Sequence, residues 1–251
     1  MRQYKRLSQV FLNSPAIARL IADAIPLKGK RVLEIGAGAG ALTRELAERA
    51  KHVTALEIDS RLAEKLAGDF SKVKNVTVMR GDALEYSFDG FDAIYGNLPY
   101  HLSSPLLFRF LESRTPLAVF MLQKEFVQRL SALPDSREYS RLTVMTAAYA
   151  DAETIGFVPA ECFDPKPRVD SAIVKLERHE AAPVDANLVN ALFQHKNQSV
   201  RNALRHSERQ LSKSKGELAD FSDSLALKER KVRSLTVEEL VELSQAFNSV
   251  R

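Results

Sequence analysis

The sequence is poor in several residue types and patterns, and their scarcity excludes some classes of protein. It contains no tryptophan and a single cysteine in 251 residues. One cysteine cannot form an internal disulfide or build a cysteine-based zinc site, so the sequence predicts a reducing compartment. The five histidines show no metal-ligand spacing, and we predict no bound metal.

Long hydrophobic runs are also missing. No stretch approaches the roughly 18 consecutive apolar residues that a membrane-spanning helix needs, and the start of the chain lacks an apolar leader. The composition, with 45% hydrophobic and 27% charged residues, argues against disordered, collagenous and coiled-coil proteins. We therefore expect a soluble, cytoplasmic protein that does not associate with membranes, and we expect a monomer.

Charge is distributed unevenly although the net charge is only +4. Residues 1–31 carry a net charge of +6 and residues 195–215 a net charge of +5, whereas residues 32–100 carry −3. An acidic centre with basic flanks favours a small-molecule site bordered by polyanion-binding segments. Charge alone leaves open the alternative that these are solvated helix faces.

Short apolar runs alternate with helical patterns in the first half of the chain. Strands are predicted at residues 31–35, 53–57, 76–80, 91–95 and 117–122, and helices at 41–50, 60–70 and 104–111. This alternation predicts an α/β fold with a doubly wound, mostly parallel, Rossmann-like sheet covered by helices on both faces.

The pattern changes in the second half. Extended segments at 154–158 and 172–176 flank a proline-rich turn, which favours an antiparallel pair at the sheet edge. Beyond residue 180 the pattern is helical only. We therefore predict a catalytic domain over residues 1–180 and a small all-helical domain over residues 181–251.

A glycine cluster, EIGAGAG at residues 34–40, follows the first predicted strand of the sheet and opens a helix. Glycines at this place allow a tight turn and a close approach of the backbone to a ligand. The spacing E-x-G-x-G-x-G differs from that of pyrophosphate binders and resembles the motif of S-adenosylmethionine-dependent methyltransferases. Gly36 and Gly38 are the predicted cofactor contacts.

Two acidic residues follow the next two predicted strands. Glu57 stands 21 residues after Gly36, where a carboxylate can accept hydrogen bonds from both ribose hydroxyls. Asp82 can accept a hydrogen bond from an adenine amino group, although a helix N-cap is the structural alternative. Three adenosine-compatible features at successive strand ends predict S-adenosylmethionine as the cofactor.

The most specific motif is Asn97-Leu98-Pro99-Tyr100 at the end of the fourth predicted strand of the sheet. An exocyclic aromatic amine is a poor nucleophile because its lone pair is delocalised into the ring. The Asn97 side-chain oxygen and the Leu98 carbonyl can accept both N6 hydrogens. Accepting them directs the lone pair at a methyl donor. Pro99 would hold the loop extended, and the Tyr100 ring would stack on a flipped adenine.

Four motifs in this order resemble the small-subunit ribosomal RNA adenine dimethyltransferases over essentially the whole chain. They are QVFL at 9–12, EIGAGAG, NLPY and FDPKPRVDS at 163–171. The resemblance is nearer to the archaeal and eukaryotic branch. It implies that Val10 and Leu12 border the cofactor and that the cofactor is contacted by Gly36, Glu57, Asp82 and Asn97. It also implies that Phe163 covers the target adenine opposite Tyr100.

The same resemblance implies the reaction and its substrate. In that family two adjacent adenosines, in a hairpin loop near the 3′ end of small-subunit rRNA, become N6,N6-dimethyladenosines during ribosome biogenesis. The basic segment with Lys196, Arg201 and Arg205 fits the family's RNA-binding region. Arg201 and Arg205 are i, i+4 neighbours that would neutralise phosphates; a solvated helix end is the alternative.

Two other functions remain open on the sequence. A large-subunit rRNA adenine methyltransferase shares the fold, but such enzymes usually carry Phe as the fourth residue of the NLPY-like motif, where this chain has Tyr100. A non-enzymatic RNA-binding assembly factor that retains cofactor binding is the second alternative. The intact cofactor positions disfavour it.

Overall fold

The computed structural model describes residues 10–249, so Gln9 and the basic residues before it lie outside the described part. Within that part, the chain forms two compact units. The first comprises residues 10–127 and 152–178, and the second comprises residues 128–151 and 179–249. No helix of residues 10–249 has the length and apolar character to cross a membrane.

The strands and helices follow the predicted alternation through residue 123. The strands are β1 (Phe11–Leu12), β2 (Arg31–Ile35), β3 (His52–Glu57), β4 (Val76–Arg80), β5 (Ala93–Asn97), β6 (Leu117–Gln123), β7 (Ala150–Val158), β8 (Phe163–Asp164) and β9 (Ser171–Arg178). The helices of the first unit are α1 (Pro15–Asp23), α2 (Ala41–Ala47), α3 (Ser60–Asp69) and α4 (Ser103–Glu112), and α5 (Lys124–Leu130) runs from the first unit into the second. Those of the second unit are α6 (Arg141–Ala147), α7 (Ala186–Gln194), α8 (Val200–Arg205), α9 (Glu208–Leu211), α10 (Lys215–Ser224) and α11 (Val237–Ser249).

Seven strands form the central sheet in the order β4-β3-β2-β5-β6-β9-β7. The first five are mutually parallel, and β9 pairs antiparallel with β6. The chain runs outward from β2 toward β4 and then returns to place β5 on the other side of β2. This reversal creates a crevice at the carboxyl ends of β2 and β5, which is where open α/β sheets bind ligands.

Alternate side chains of β6 show that helices cover both faces of the sheet. Val119 and Met121 lie in a buried apolar cluster with residues of α1 and α2. Phe120 points to the opposite face, where its ring meets Phe110 of α4 edge-on at a centroid distance of 6.0 Å. The predicted doubly wound α/β fold is therefore confirmed.

A separate two-stranded pair joins the start of the chain to the proline-rich segment. β1 and β8 pair antiparallel, with Phe11 opposite Asp164 and Leu12 opposite Phe163. The Asn13 N–H extends the pair by donating to the Cys162 carbonyl at 2.9 Å. Each of these strands has only two residues, which is too short for a hydrophobic periodicity that would predict a strand. The pairing of the QVFL and FDPKPRVDS motifs is therefore visible only in the tertiary structure.

The second unit differs from the predicted helical domain because it also contains residues 128–151. Within this unit the Tyr139 ring packs on Phe193 at 5.6 Å between centroids, and the Tyr139 hydroxyl donates to the Leu235 carbonyl at 2.7 Å. The single boundary near residue 180 therefore needs correction. The chain enters the second unit after β6 and returns for β7 before leaving again.

Candidate active site

A cavity lies in the first unit at the carboxyl ends of β2 and β5. It brings together most of the residues that the motifs single out for the cofactor and the reaction. These are Val10, Leu12, Gly36, Gly38, Glu57, Asn97, Leu98, Pro99 and Tyr100. Asp82 and Phe163 do not line it.

The glycine loop after β2 presents bare backbone to this cavity. Gly36 and Gly38 have φ values of +69° and +54°, in the left-handed region that glycine adopts without strain. A Cβ on Gly38 would lie 3.3 Å from the Phe11 ring, and one on Gly36 would lie 3.9 Å from the Asn97 carbonyl oxygen. A side chain at Gly38 would therefore crowd β1 and fill space beside the cavity.

Glu57, the last residue of β3, is held rigidly beside this loop. Its Oε2 accepts the Gly38 N–H and its Oε1 accepts the Asp59 N–H, both at 2.9 Å. The residue is only 4% exposed. Since each carboxylate oxygen has two acceptor positions, both oxygens retain one for hydroxyl groups of a ligand.

The Asn97 side chain is oriented by Val10, the residue directly before β1. Its Nδ2 donates to the Val10 carbonyl at 3.2 Å, which leaves Oδ1 as the acceptor for a ligand amine. Val10 thus contributes to the site through its backbone. This contact depends on β1, whose place is determined by its pairing with β8.

The three residues after Asn97 form a constrained turn. The Leu98 N–H donates to the Met121 carbonyl at 3.2 Å, and Pro99 is extended with φ −56° and ψ 130°. The Tyr100 hydroxyl and the Ser171 hydroxyl share a hydrogen bond of 3.0 Å, which ties the ring to the start of β9. The turn therefore presents a rigid edge of carbonyls and one anchored aromatic ring.

Asp82 lies beside the main cavity rather than in it. It lines a second cavity whose wall includes Ile58, and Ile58 also lines the first. Asp82 Oδ1 accepts the Leu84 N–H at 2.8 Å, as a residue that caps a turn does. No helix of the described residues begins directly after Asp82, so it caps a turn rather than the helix N-terminus of the structural alternative, and a cofactor contact of Asp82 stays a prediction.

Phe163 is placed differently from the expectation that its ring covers an adenine. It is 3% exposed and belongs to the apolar core, with Val10 and Leu12 packed against that core. Phe163 pairs with Leu12 across the two-stranded β1–β8 pair. Its stacking on the target adenine opposite Tyr100 stays a prediction.

Glu34 is a cavity residue to which the sequence assigned no role beyond opening the glycine motif. It is 2% exposed, and the Thr43 hydroxyl donates to its Oε2 at 2.6 Å. Burial raises the pKa of Glu34 to about 8, against the opposing hydrogen bond from Thr43, and the charge of Glu57 adds to the rise. The signal in the sequence is an acidic residue flanked by the apolar residues Leu33 and Ile35 of β2.

In the second unit, Lys196 is occupied by the backbone. Its ammonium donates to the Arg137 carbonyl at 3.1 Å and to the Tyr139 carbonyl at 3.0 Å. This arrangement differs from the predicted contact with an RNA phosphate. It ties α7's end to the segment 128–151 within the same unit.

Arg201 and Arg205 lie on one face of α8 as predicted, and both meet acidic side chains. Asp223 of α10 pairs with Arg201 at 3.0 Å and with Arg205 at 2.8 Å, and Glu229 pairs with Arg201 at 2.8 Å. The two side chains remain about a third exposed, at 30% and 39%. They are therefore accessible, but their charge is partly balanced.

Comparison of the sequence with known proteins gives one family and many relatives. The family model described as "Ribosomal RNA adenine dimethylase" matches residues 1–246. The chain is 40% identical over 256 residues to the "Probable ribosomal RNA small subunit methyltransferase A" of Methanococcus vannielii, covering 97% of this chain and 96% of the relative. The protein of the same description from Pyrococcus abyssi is 38% identical, covering 100% and 94%.

Two solved structures resemble the whole chain at 30% sequence identity. A dimethyladenosine transferase from Plasmodium falciparum superposes with a TM-score of 0.83, covering 96% of this chain and 98% of that chain. The 23S rRNA methyltransferase ErmE superposes with a TM-score of 0.70, covering 95% and 99%. At equal identity, the three-dimensional agreement is better with the first.

Proposed function

The chain belongs to the ribosomal RNA adenine dimethylase family, and on that premise we propose that it transfers methyl groups from S-adenosylmethionine to adenosine N6 in small-subunit rRNA. The targets in this proposal are two adjacent adenosines in a hairpin loop near the 3′ end of that RNA. The modification then forms part of ribosome biogenesis. The small-subunit relatives and the higher TM-score with the dimethyladenosine transferase support this choice over a large-subunit target.

The observation that carries the proposal is the clamped Asn97 beside Leu98. With Nδ2 committed to the Val10 carbonyl, the Asn97 Oδ1 is available to accept one N6 hydrogen. The Leu98 carbonyl in the extended turn accepts the other. Withdrawing both hydrogens toward these acceptors turns the amine lone pair out of conjugation, and Tyr100, anchored by Ser171, stacks on the extruded base.

The residues of the cavity fit S-adenosylmethionine. That cofactor supplies an electrophilic methyl group on a sulfonium centre. Gly36 and Gly38 allow its close approach, Glu57 accepts its ribose hydroxyls, and Glu34 offers a carboxylate to its cationic end. Asp82, reached from the adjacent cavity, is the proposed partner of the adenine amino group.

This mechanism needs no side chain as general base. Each alkylated amine carries a positive charge and loses its proton to water readily. The protein therefore acts by orienting the target adenine, with the acceptors of Asn97 and Leu98 holding its amine and the Tyr100 ring stacking on its base. The second unit is the proposed RNA-binding domain, with Arg201 and Arg205 as phosphate contacts.

The test is methyl transfer from labelled S-adenosylmethionine to undermethylated small ribosomal subunits, followed by digestion to nucleosides. We expect the label in N6,N6-dimethyladenosine. Label that never reaches adenine N6 contradicts the proposal. In a parallel reaction with isolated large ribosomal subunits, label in adenine N6 of those subunits alone contradicts the choice of small-subunit rRNA.

Asn97→Ala probes the clamp directly. We expect kcat to fall by about 100- to 1000-fold, the range for losing one preorganised polar contact in an active site, while cofactor affinity changes by only a few-fold. Asn187→Ala, at an exposed asparagine of α7, is the matched control. Near-normal turnover of Asn97→Ala would remove Asn97 from the mechanism.

A further inference from the structure

Phe157, near the end of β7, is a large aromatic side chain that remains 58% exposed. The Lys124 ammonium lies over its ring at 5.0 Å from the centroid, within range of a cation–π contact. A single exposed apolar residue is ordinary on a protein surface. Whether Phe157 contacts a ligand depends on the residues around it.

The ring is linked to the proposed active site through the ends of neighbouring strands. Tyr100 shares a hydrogen bond with Ser171, and Ser171 lies opposite Gln123 in the β6–β9 pairing. The next residues also meet, because the Lys124 N–H donates to the Asp170 carbonyl at 3.0 Å. One continuous stretch of the first unit therefore leads from Tyr100 to Lys124 and Phe157.

Two basic side chains, Lys124 and Arg168, belong to this stretch, together with the exposed acids Glu125 and Asp170. Arg168 is exposed on the segment that leads into β9. The Asp170 carboxylate is engaged, since it accepts the Ala160 N–H at 3.1 Å. Lys124 itself is half-buried, so its aliphatic stem packs on the protein while its ammonium faces the ring.

We propose that Phe157 and Lys124 bind an unpaired nucleotide next to the target adenosine, with the base stacked on the Phe157 ring and its phosphate held by Lys124. The inference rests on the proposed function. Extruding the target adenine onto Tyr100 removes a stacking partner from the neighbouring base, and Phe157 supplies a replacement. An aromatic face with a cation beside it is the usual platform for single-stranded RNA.

Phe157→Ala tests the platform in steady-state kinetics with a small-subunit hairpin RNA. We expect KM for the RNA to rise roughly 5- to 100-fold, the range for losing one base–aromatic stack, with kcat and the cofactor Kd nearly unchanged. Phe157→Tyr should retain affinity, whereas Phe157→Leu, which keeps apolar area without a ring, should lose most of it. Val73→Ala, at a 36% exposed residue preceding β4 and hence at the opposite sheet edge, is the control.

A second experiment uses a set of hairpin RNAs, each with a single abasic nucleotide at one position flanking the target, and measures binding by fluorescence anisotropy. If Phe157 stacks on a flanking base, wild type and Phe157→Ala should bind equally to the RNA that lacks that base. An undiminished difference on every abasic RNA, or a wild-type KM for Phe157→Ala on intact RNA, overturns the inference. A wild type that binds the hairpin but transfers no methyl group contradicts the proposed function instead, and the anisotropy still reports on Phe157.

Lys124→Gln completes the test. We expect weaker RNA binding and a slope of log affinity against log salt that is shallower by about 0.7, as for one lost contact to single-stranded RNA. An unchanged slope would overturn the role of Lys124 as the phosphate partner.

Discussion

Two buried carboxylates with different partners face the same cavity. Glu57 accepts two backbone N–H groups, whereas Glu34 accepts the Thr43 hydroxyl. Burial of Glu34 beside another acid favours its neutral form, and a bound cation would favour its charged form. The site is therefore expected to release a proton from Glu34 when a cationic cofactor enters.

This proton makes the stability of the free protein depend on pH. The pKa of Glu34 rises from its ordinary 4.5 to about 8 on folding, so between these values the folded state holds a proton that the unfolded state has released. Its stabilising contribution is complete below about pH 4.5 and is lost as pH rises through 8. The unfolding free energy should fall by up to about 1.4 kcal/mol per pH unit from this group.

Urea unfolding between pH 5 and 8 measures the effect. Glu34→Gln should flatten the decline, while Glu64→Gln, at an exposed position of α3, should leave it intact. A decline equally steep in Glu34→Gln and wild type would show that Glu34 is not its source.

At the scale of elements, residues of β5 that lie close in sequence have different places: Tyr95 packs in the core, and Asn97 lines the cavity. Tyr95 points into the apolar cluster that contains residues of α1 and α2. Gly96 follows at a place where a Cβ would lie 2.6 Å from Leu98 Cδ2 and 3.0 Å from the Ile35 carbonyl oxygen. Because Gly96 has no side chain, Leu98 can fold back over the strand, and the turn of the NLPY motif begins directly at the end of β5.

The buried hydroxyl of Tyr95 lowers the stability of the fold, and this effect can be measured. Its hydroxyl is buried and finds no hydrogen-bond partner among residues 10–249, and burial raises its pKa. Tyr95→Phe removes this unsatisfied group, so we expect the unfolding free energy to increase by about 1 kcal/mol.

Tyr139→Phe is the matched comparison in the second unit. Tyr139 is equally buried, but its hydroxyl donates to the Leu235 carbonyl, so this variant should lose about 1 kcal/mol or more. Denaturant midpoints of the two variants should move in opposite directions. A destabilised Tyr95→Phe would mean that the hydroxyl has a partner.

At the scale of the whole molecule, the two units carry their charge differently: buried carboxylates line the cavity of the first unit, whereas partly exposed arginines of α8 meet acidic side chains in the second. Arg201 and Arg205 share Asp223, but exposed ion pairs contribute only about 0–1 kcal/mol each. A phosphate can therefore replace the acidic partner at little cost. Lys196 is different because two backbone carbonyls hold its ammonium.

The salt dependence of RNA binding separates these roles. Arg201→Gln combined with Arg205→Gln should weaken binding and make the slope of log affinity against log salt shallower by about 1.4 to 1.8, for two lost phosphate contacts. Lys196→Gln should keep the slope and lower the melting temperature. An unchanged slope in the double variant would leave both arginines as intramolecular ion-pair partners only.

The local sequence pattern by itself determined the order of the strands and helices and the places of the motifs. β2 and β4 have the predicted bounds. β2 is a buried central strand that shows as a short apolar run. β4 is a partly exposed edge strand, in which Val76 and Val78 alternate with exposed residues. The order of the elements, the doubly wound sheet and the placing of the glycine and NLPY motifs at strand ends also follow from the sequence. The family resemblance, confirmed by the relatives, rests on the same motifs.

Only the tertiary structure decided the contacts between distant residues. The β1–β8 pair that orients Asn97, the burial of Phe163, the acid partners of Arg201 and the raised pKa of Glu34 each depend on side chains far apart in sequence. So does the assignment of residues 128–151 to the second unit. Periodicity and motif spacing report on neighbours along the chain, whereas burial and partner choice arise only when the packed elements exclude water.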